Sequence, residues 1–142
     1  MLFSNQHQGF IERREVTIND DLVDLWKVLS VKAHGTSGRE DTTILGEPVL
    51  APPGSACTET YLIIGTFNNE AEAQNLAAYL KTRFVRFFVS LRKITQNITR
   101  DTYKFVPDLT MDREWTDNDL FARYGIKQQE VDFIKTLISE RK

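Results

Sequence analysis

The 142-residue sequence has one cysteine, Cys57, and two histidines, His7 and His34. An internal disulfide is therefore excluded, and so is a structural zinc site, because those three residues are too few and too far apart in sequence. No apolar run approaches the roughly 20 residues that span a membrane. The opening Met1-Leu2-Phe3-Ser4-Asn5-Gln6 lacks both a basic stretch and a long apolar one, so no signal peptide is expected and the cytoplasm is the expected location. There is no glycine-rich nucleotide loop of either standard kind. Internal repeats and low-complexity segments are also missing.

What is present suits an ordinary globular chain, with 41% hydrophobic and 27% charged residues. At this length about two thirds of the unfolded surface can be hidden, enough for a real core. The net charge of −2 gives no overall attraction to polyanions. Its distribution is more informative. Lys81, Arg83, Arg86, Arg92, Lys93, Arg100 and Lys104 form a basic block interrupted only by Asp101, so residues 81–104 carry +6 and the remainder −8. A basic block in an acidic chain points to a local polyanion site. The competing reading is a helix face neutralised by acids from elsewhere in the fold.

Hydrophobic periodicity predicts an α+β fold: a mixed or antiparallel sheet packed by one long helix, with a C-terminal helical hairpin. Strands are expected from residue 14 to 67 and near 103–106. Glu15-Val16-Thr17-Ile18 alternates, and Leu25 to Lys32 is rich in β-branched and aromatic residues. Residues 35–41 read as a loop. Thr43 to Leu50 reads as a strand that Pro48 places at an edge or a bulge. Pro52-Pro53-Gly54-Ser55 is a turn. Thr58 to Phe67 follows, apolar on both faces at Tyr61-Leu62-Ile63-Ile64 and so expected at the centre of the sheet.

Asn68 or Asn69 is placed to cap a helix running from about Glu70 to Lys93. Its apolar stripe is Ala73, Leu76, Ala77, Leu80, Phe84, Phe87, Phe88 and Leu91. Arg86 and Lys93 fall away from that stripe, with Lys81, Arg83 and Arg92 near its borders. In the tail, Thr116 caps a short helix over 117–123, with Asp119 at capping-box spacing, and Gly125 ends it. A second helix, about Gln128 to Ser139, buries Val131, Phe133 or Ile134, and Ile138. Residues 1–142 are read as one domain, with sheet and long helix up to 107 and a helical tail from 108. The chain reads as a C-terminal fragment of something longer.

Phosphates are bound by lysine, arginine, hydroxyl and amide side chains, and the segment 92–100 supplies all of them. Lys81, Arg83, Arg86, Arg92, Lys93, Arg100 and Lys104 are therefore the expected phosphate contacts. Thr95, Gln96 and Asn97 are the candidates for reading base edges. Three other features carry less. Cys57 has no histidine near it in sequence and reads as a buried structural residue. His34, alone at a strand end, reads as neither catalytic nor a contact. Pro107-Asp108 with Glu140-Arg141-Lys142 spells a metal-dependent nuclease string, but its second half falls at a helical C-terminus.

Three elements in this order carry a resemblance. They are Ala56 to Gly65, then Tyr79 to Phe87 with Ser90 to Gln96, and finally Phe105-Val106-Pro107 followed by Trp115-Thr116-Asp117, Leu120, Tyr124-Gly125 and Phe133-Ile134. Together they resemble the C-terminal region of adenine-specific DNA methyltransferases of bacterial restriction-modification systems, including fused methyltransferase-endonucleases. The resemblance covers about residues 25–140. It implies a region that follows the catalytic domain and takes part in target recognition, with double-stranded DNA and that catalytic domain as partners. For the parent enzyme it implies S-adenosylmethionine as methyl donor. No donor-binding motif and no Asn-Pro-Pro-Tyr-type string occurs here, so this chain is expected to be non-catalytic. Lys127 stands where a helix-capping Thr or Ser is expected. The alternative is a scaffold module that docks the catalytic domain and never touches DNA.

Overall fold

A computed structural model describes residues 1–4, 7–31, 47–92, 103 and 106–138. The fold is α+β, with two small sheets and four helices among the described residues.

The larger sheet is built on β3 (Trp26–Val31), where the predicted run of β-branched and aromatic residues lies. β4 (Val49–Ala51) and β6 (Tyr61–Phe67) both pair with it antiparallel, giving the order β4-β3-β6. β4 lies at an edge but begins after Pro48, and the first part of the predicted Thr43–Leu50 strand lies outside the described residues. The central position belongs to β3 and not, as predicted, to β6. β6 is apolar on both faces for another reason, because each face meets its own core. Leu62 and Ile64 pack with Val28 against the helices, whereas Tyr61 and Ile63 pack with Leu29 and Ala51 on the other side.

That second side is covered by a sheet the sequence did not reveal. β1 (Leu2–Ser4) pairs antiparallel with β2 (His7–Gly9) and parallel with β5 (Ala56–Cys57). Phe3 is buried there, its ring edge-on to Tyr61 at 6.5 Å.

Residues 13–24 correct another expectation. Glu15 to Ile18 is no strand. Arg13–Glu15 and Asp20–Asp24 are 3-10 turns. The Glu12 amide donates to the Glu15 carboxylate at 3.0 Å and the Val16 amide to the Arg13 carbonyl at 3.0 Å, taking donors that a strand ladder would need. Arg13 grips Asp24 with both guanidinium nitrogens, at 2.8 and 3.1 Å, tying the two turns together.

The predicted long helix is two helices, α1 (Glu70–Leu80) and α2 (Arg83–Arg92). Asn69 caps α1, accepting from the Glu72 amide at 2.9 Å. Thr82 makes the break. Its hydroxyl donates to the Tyr79 carbonyl at 2.7 Å and accepts from the Val85 amide at 3.2 Å, ending one helix and starting the next. The apolar spacing runs on through Thr82 because both helices pack on one core. The register does not. Val85 and Val89, outside the expected stripe, are buried, and Leu91 is 56% exposed.

The tail matches its prediction closely. α3 (Asp117–Arg123) and α4 (Gln128–Leu137) form the hairpin, with Gly125 at φ 60° between them. Trp115 is buried and donates to the Thr110 carbonyl at 2.9 Å. Ile134 is buried and Phe133 is not. At α4 the Glu130 carboxylate accepts from the Lys127 amide at 3.1 Å, so no Thr or Ser is needed there. The Val106 amide donates to the Tyr103 carbonyl at 2.9 Å, and the middle of the strand predicted near 103–106, Lys104 and Phe105, lies outside the described residues.

The α3 capping box sets an acid limit. The Asp119 amide donates to the Thr116 hydroxyl at 3.2 Å, and the Thr116 amide to the Asp119 carboxylate at 3.2 Å. Hydrogen bonding from the Thr116 side chain, then its amide, holds Asp119 below its ordinary 3.8, with Arg113 adding attraction. A depressed carboxylate contributes stability that is complete above the unfolded-state value and lost as pH falls through the lower folded one. The thermal midpoint of Asp119→Asn should therefore fall less steeply than the parent's below about pH 4. Parallel curves in that range would show that the box carries no acid-sensitive stability.

Candidate nucleic-acid interface

The basic block begins at the α1–α2 junction. Lys81 closes α1, and its ammonium lies 2.6 Å from the Glu47 carboxylate, so this cation is neutralised from within the fold. Arg83 opens α2 and is half-buried. Its Nε is shielded from solvent without a hydrogen-bond partner. The first turn of α2 would ordinarily offer free amides to an anion. Here the Arg83 and Phe84 amides donate to the Asp117 carboxylate at 3.2 and 2.9 Å, so the tail supplies the anion itself.

Arg86 requires a correction. It was expected to face outward and meet phosphate, but it is 0% exposed. Its Nε donates to the Lys81 carbonyl at 3.1 Å. The break at Thr82 resets the helical phase, so a wheel drawn through one continuous helix misplaces it. Arg92 ends α2. Its side chain, together with Lys93, Thr95, Gln96, Asn97, Arg100 and Lys104, lies outside the described residues. His34 and Glu140-Arg141-Lys142 lie outside them too. The structure thus brings Lys81, Arg83 and Arg86 to one junction, and only Lys81 and Arg83 keep any access to solvent.

Two further arginines were not singled out in sequence. Arg113 lies over the Trp115 ring with its guanidinium carbon 4.4 Å from the centroid, and pairs with Asp119 at 2.8 Å. Arg123 approaches the same ring at 5.5 Å. The only local signal for this grouping is the Arg-Glu-Trp string at 113–115, because Arg123 arrives from the end of α3. Such contacts hold a cation in place while leaving its edge exposed.

Beside β6 lie two adjoining cavities of about 210 and 460 Å3. Both are bordered by Ile64, Leu76, Asp108, Leu109 and Met111, and Asp108 is the only charged residue among the described residues of either lining. The β6–α1 connection is Asn68-Asn69 and contains no glycine. Cys57 sits half-buried at the end of β5, less covered than the buried position expected. Among the described residues no group of three His, Cys, Asp or Glu could hold a metal ion, and no helix is long and apolar enough to cross a membrane.

No protein-family model, curated protein or solved structure matches the chain.

Proposed function

We propose that this chain is a DNA-contacting, non-catalytic piece of a restriction-modification adenine methyltransferase. The observation that carries the reading is the charge at the end of α2. Arg92, Lys93, Arg100 and Lys104 lie within 13 residues with one acid, and Thr95, Gln96 and Asn97 sit between them. That mixture of cations, hydroxyls and amides is what phosphate and base-edge contacts use. The resemblance to the C-terminal region of these enzymes supports the same assignment. On this reading the phosphate contacts are Arg92, Lys93, Arg100 and Lys104, with Arg83 and Lys81 at the margin, and Arg86 is structural. The methyl donor would be bound by other parts of the parent enzyme.

Binding of the chain to mixed-sequence duplex DNA, measured at low and moderate salt, tests this. Affinity should fall steeply with salt, and Arg92→Ala or Lys93→Ala should each flatten the slope by about one unit. Unchanged slopes in both variants would remove these residues from the interface.

A second reading has its own support. The Lys81–Glu47 pair and the Asp117 cap show basic groups and helix amides already satisfied within the fold. This favours a scaffold module that docks the catalytic domain. Absence of DNA binding at low salt would select it.

A further inference from the structure

We propose that the edge of β6 from Leu62 to Phe67, which no described strand pairs, docks with the groove beside it an extended strand of a partner polypeptide that carries a basic side chain opposite Asp108. The inference does not rest on DNA binding and stands or falls separately.

β6 pairs with β3 on one side, and no described strand lies on the other. From Leu62 to Phe67 the ladder leaves alternate amides and carbonyls directed away from β3. The segment 106–111 runs alongside but is bound to α1. The Tyr79 hydroxyl donates to the Pro107 carbonyl at 2.8 Å and the Asn75 amide nitrogen to the Met111 carbonyl at 2.9 Å. Among the described backbone bonds none joins this segment to β6. What separates them is the pair of adjoining cavities. At their common border the ladder steps from Val28↔Gly65 to Leu29↔Ile63, so Ile64 has no partner on β3 and lines both cavities. β6 contains neither a charged residue nor a proline, two devices that commonly block edge pairing.

The chemistry selects the occupant. A row of backbone donors and acceptors is satisfied by another extended backbone, and a helix has none to offer. The walls are mostly apolar, with Leu62, Ile64, Leu76 and Leu109 beside Tyr79 and Phe67, so alternate side chains of that strand are apolar. Asp108 is exposed at the rim and forms no ion pair with any described residue, so the strand carries a cation there. A second copy of β6, Tyr-Leu-Ile-Ile-Gly-Thr-Phe, has no cation to supply. Nucleic acid would place phosphate against the carboxylate.

The test uses a fluorescent heptapeptide of alternating valine and lysine, the same peptide N-methylated at alternate residues, and a valine–glutamate analogue, each titrated against the whole chain at low salt. The valine–lysine peptide should bind saturably and slow amide exchange from Leu62 to Phe67. The N-methylated peptide should not bind, and the glutamate analogue should bind about fivefold or more weakly. In Asp108→Asn, an exposed change that leaves the fold intact, lysine and glutamate peptides should bind within about twofold of each other. Four results would each overturn the proposal: no saturable binding up to millimolar peptide, equal binding of the N-methylated form, protection confined to other segments, or self-association of the chain through β6 that the lysine peptide does not compete away.

Discussion

Arg86→Ala should lower the thermal midpoint by roughly 10 °C or more, on the footing of about 3–5 kcal/mol for emptying a large buried site and a few degrees per kcal/mol at this chain length. Arg86 is the largest of the fully buried side chains among the described residues, and its Nε bridges to the Lys81 carbonyl across the α1–α2 junction. Alanine removes both the volume of the stem and the donor that meets this carbonyl. The comparison that matters is with Arg92→Ala, which should leave the melt nearly unchanged and alter the salt slope of DNA binding. The same basic block would then divide into a buried half that holds the junction and a distal half that meets the ligand. If Arg86→Ala melts like the parent and loses DNA affinity, the burial account is wrong and Arg86 is a phosphate contact after all.

Lys27→Met should cost about 2–4 kcal/mol, because three carbonyls lose a charged donor while the methionine keeps most of the stem. Lys27 is 2% exposed, and its ammonium donates to the carbonyls of Leu22, Val23 and Leu25 at 3.0, 3.2 and 2.7 Å. These carbonyls lie at the end of the 3-10 turn that leads into β3, where cations are favoured as caps. Burial pushes the Lys27 pKa below its ordinary 10.5, with Cys57 and Asp24 drawing it back. For a base with a lowered folded value, the penalty is complete below that value and is relieved as pH rises toward the unfolded one. The stability gap between parent and variant should therefore widen between neutral pH and about pH 10. A gap that narrows over that range would show that the fold favours the charged ammonium and raises its pKa, and a variant as stable as the parent at pH 7 would show that Lys27 is not the cap it resembles.

The parts of the fold that were legible in sequence are those fixed by near neighbours. The Thr116–Asp119 box, the Asn69 cap and the Gly125 stop each span only a few residues, and all are where the pattern put them. Errors arose where distant segments decide. Residues 2–4 pair with residues 7–9 and are anchored to the rest of the fold by residues 56–57, with the Thr58 amide donating to the Phe3 carbonyl at 3.0 Å. Nothing in the first ten residues announces that pairing. The break at Thr82 was hidden by an apolar spacing that continues through it, although a threonine three residues before Val85 is itself a capping signal. A helical phase carried through that break places Arg86 on the wrong face. Of the candidate site, the existence of a basic block was legible, whereas the pairing of Lys81 with Glu47 depends on residues 34 positions apart.

The Asp117 cap also orders events in time. The Arg83 and Phe84 amides find their acceptor on a residue 34 and 33 positions further along. As the chain leaves a ribosome N-terminus first, α2 is complete in sequence well before residue 117 emerges. Until then its first turn has donors with no carboxylate to meet, and its apolar face has no α3 or α4 to cover it. The last quarter of the chain therefore finishes the helix that precedes it, and a nascent chain stalled short of residue 117 holds α2 as an unfinished element.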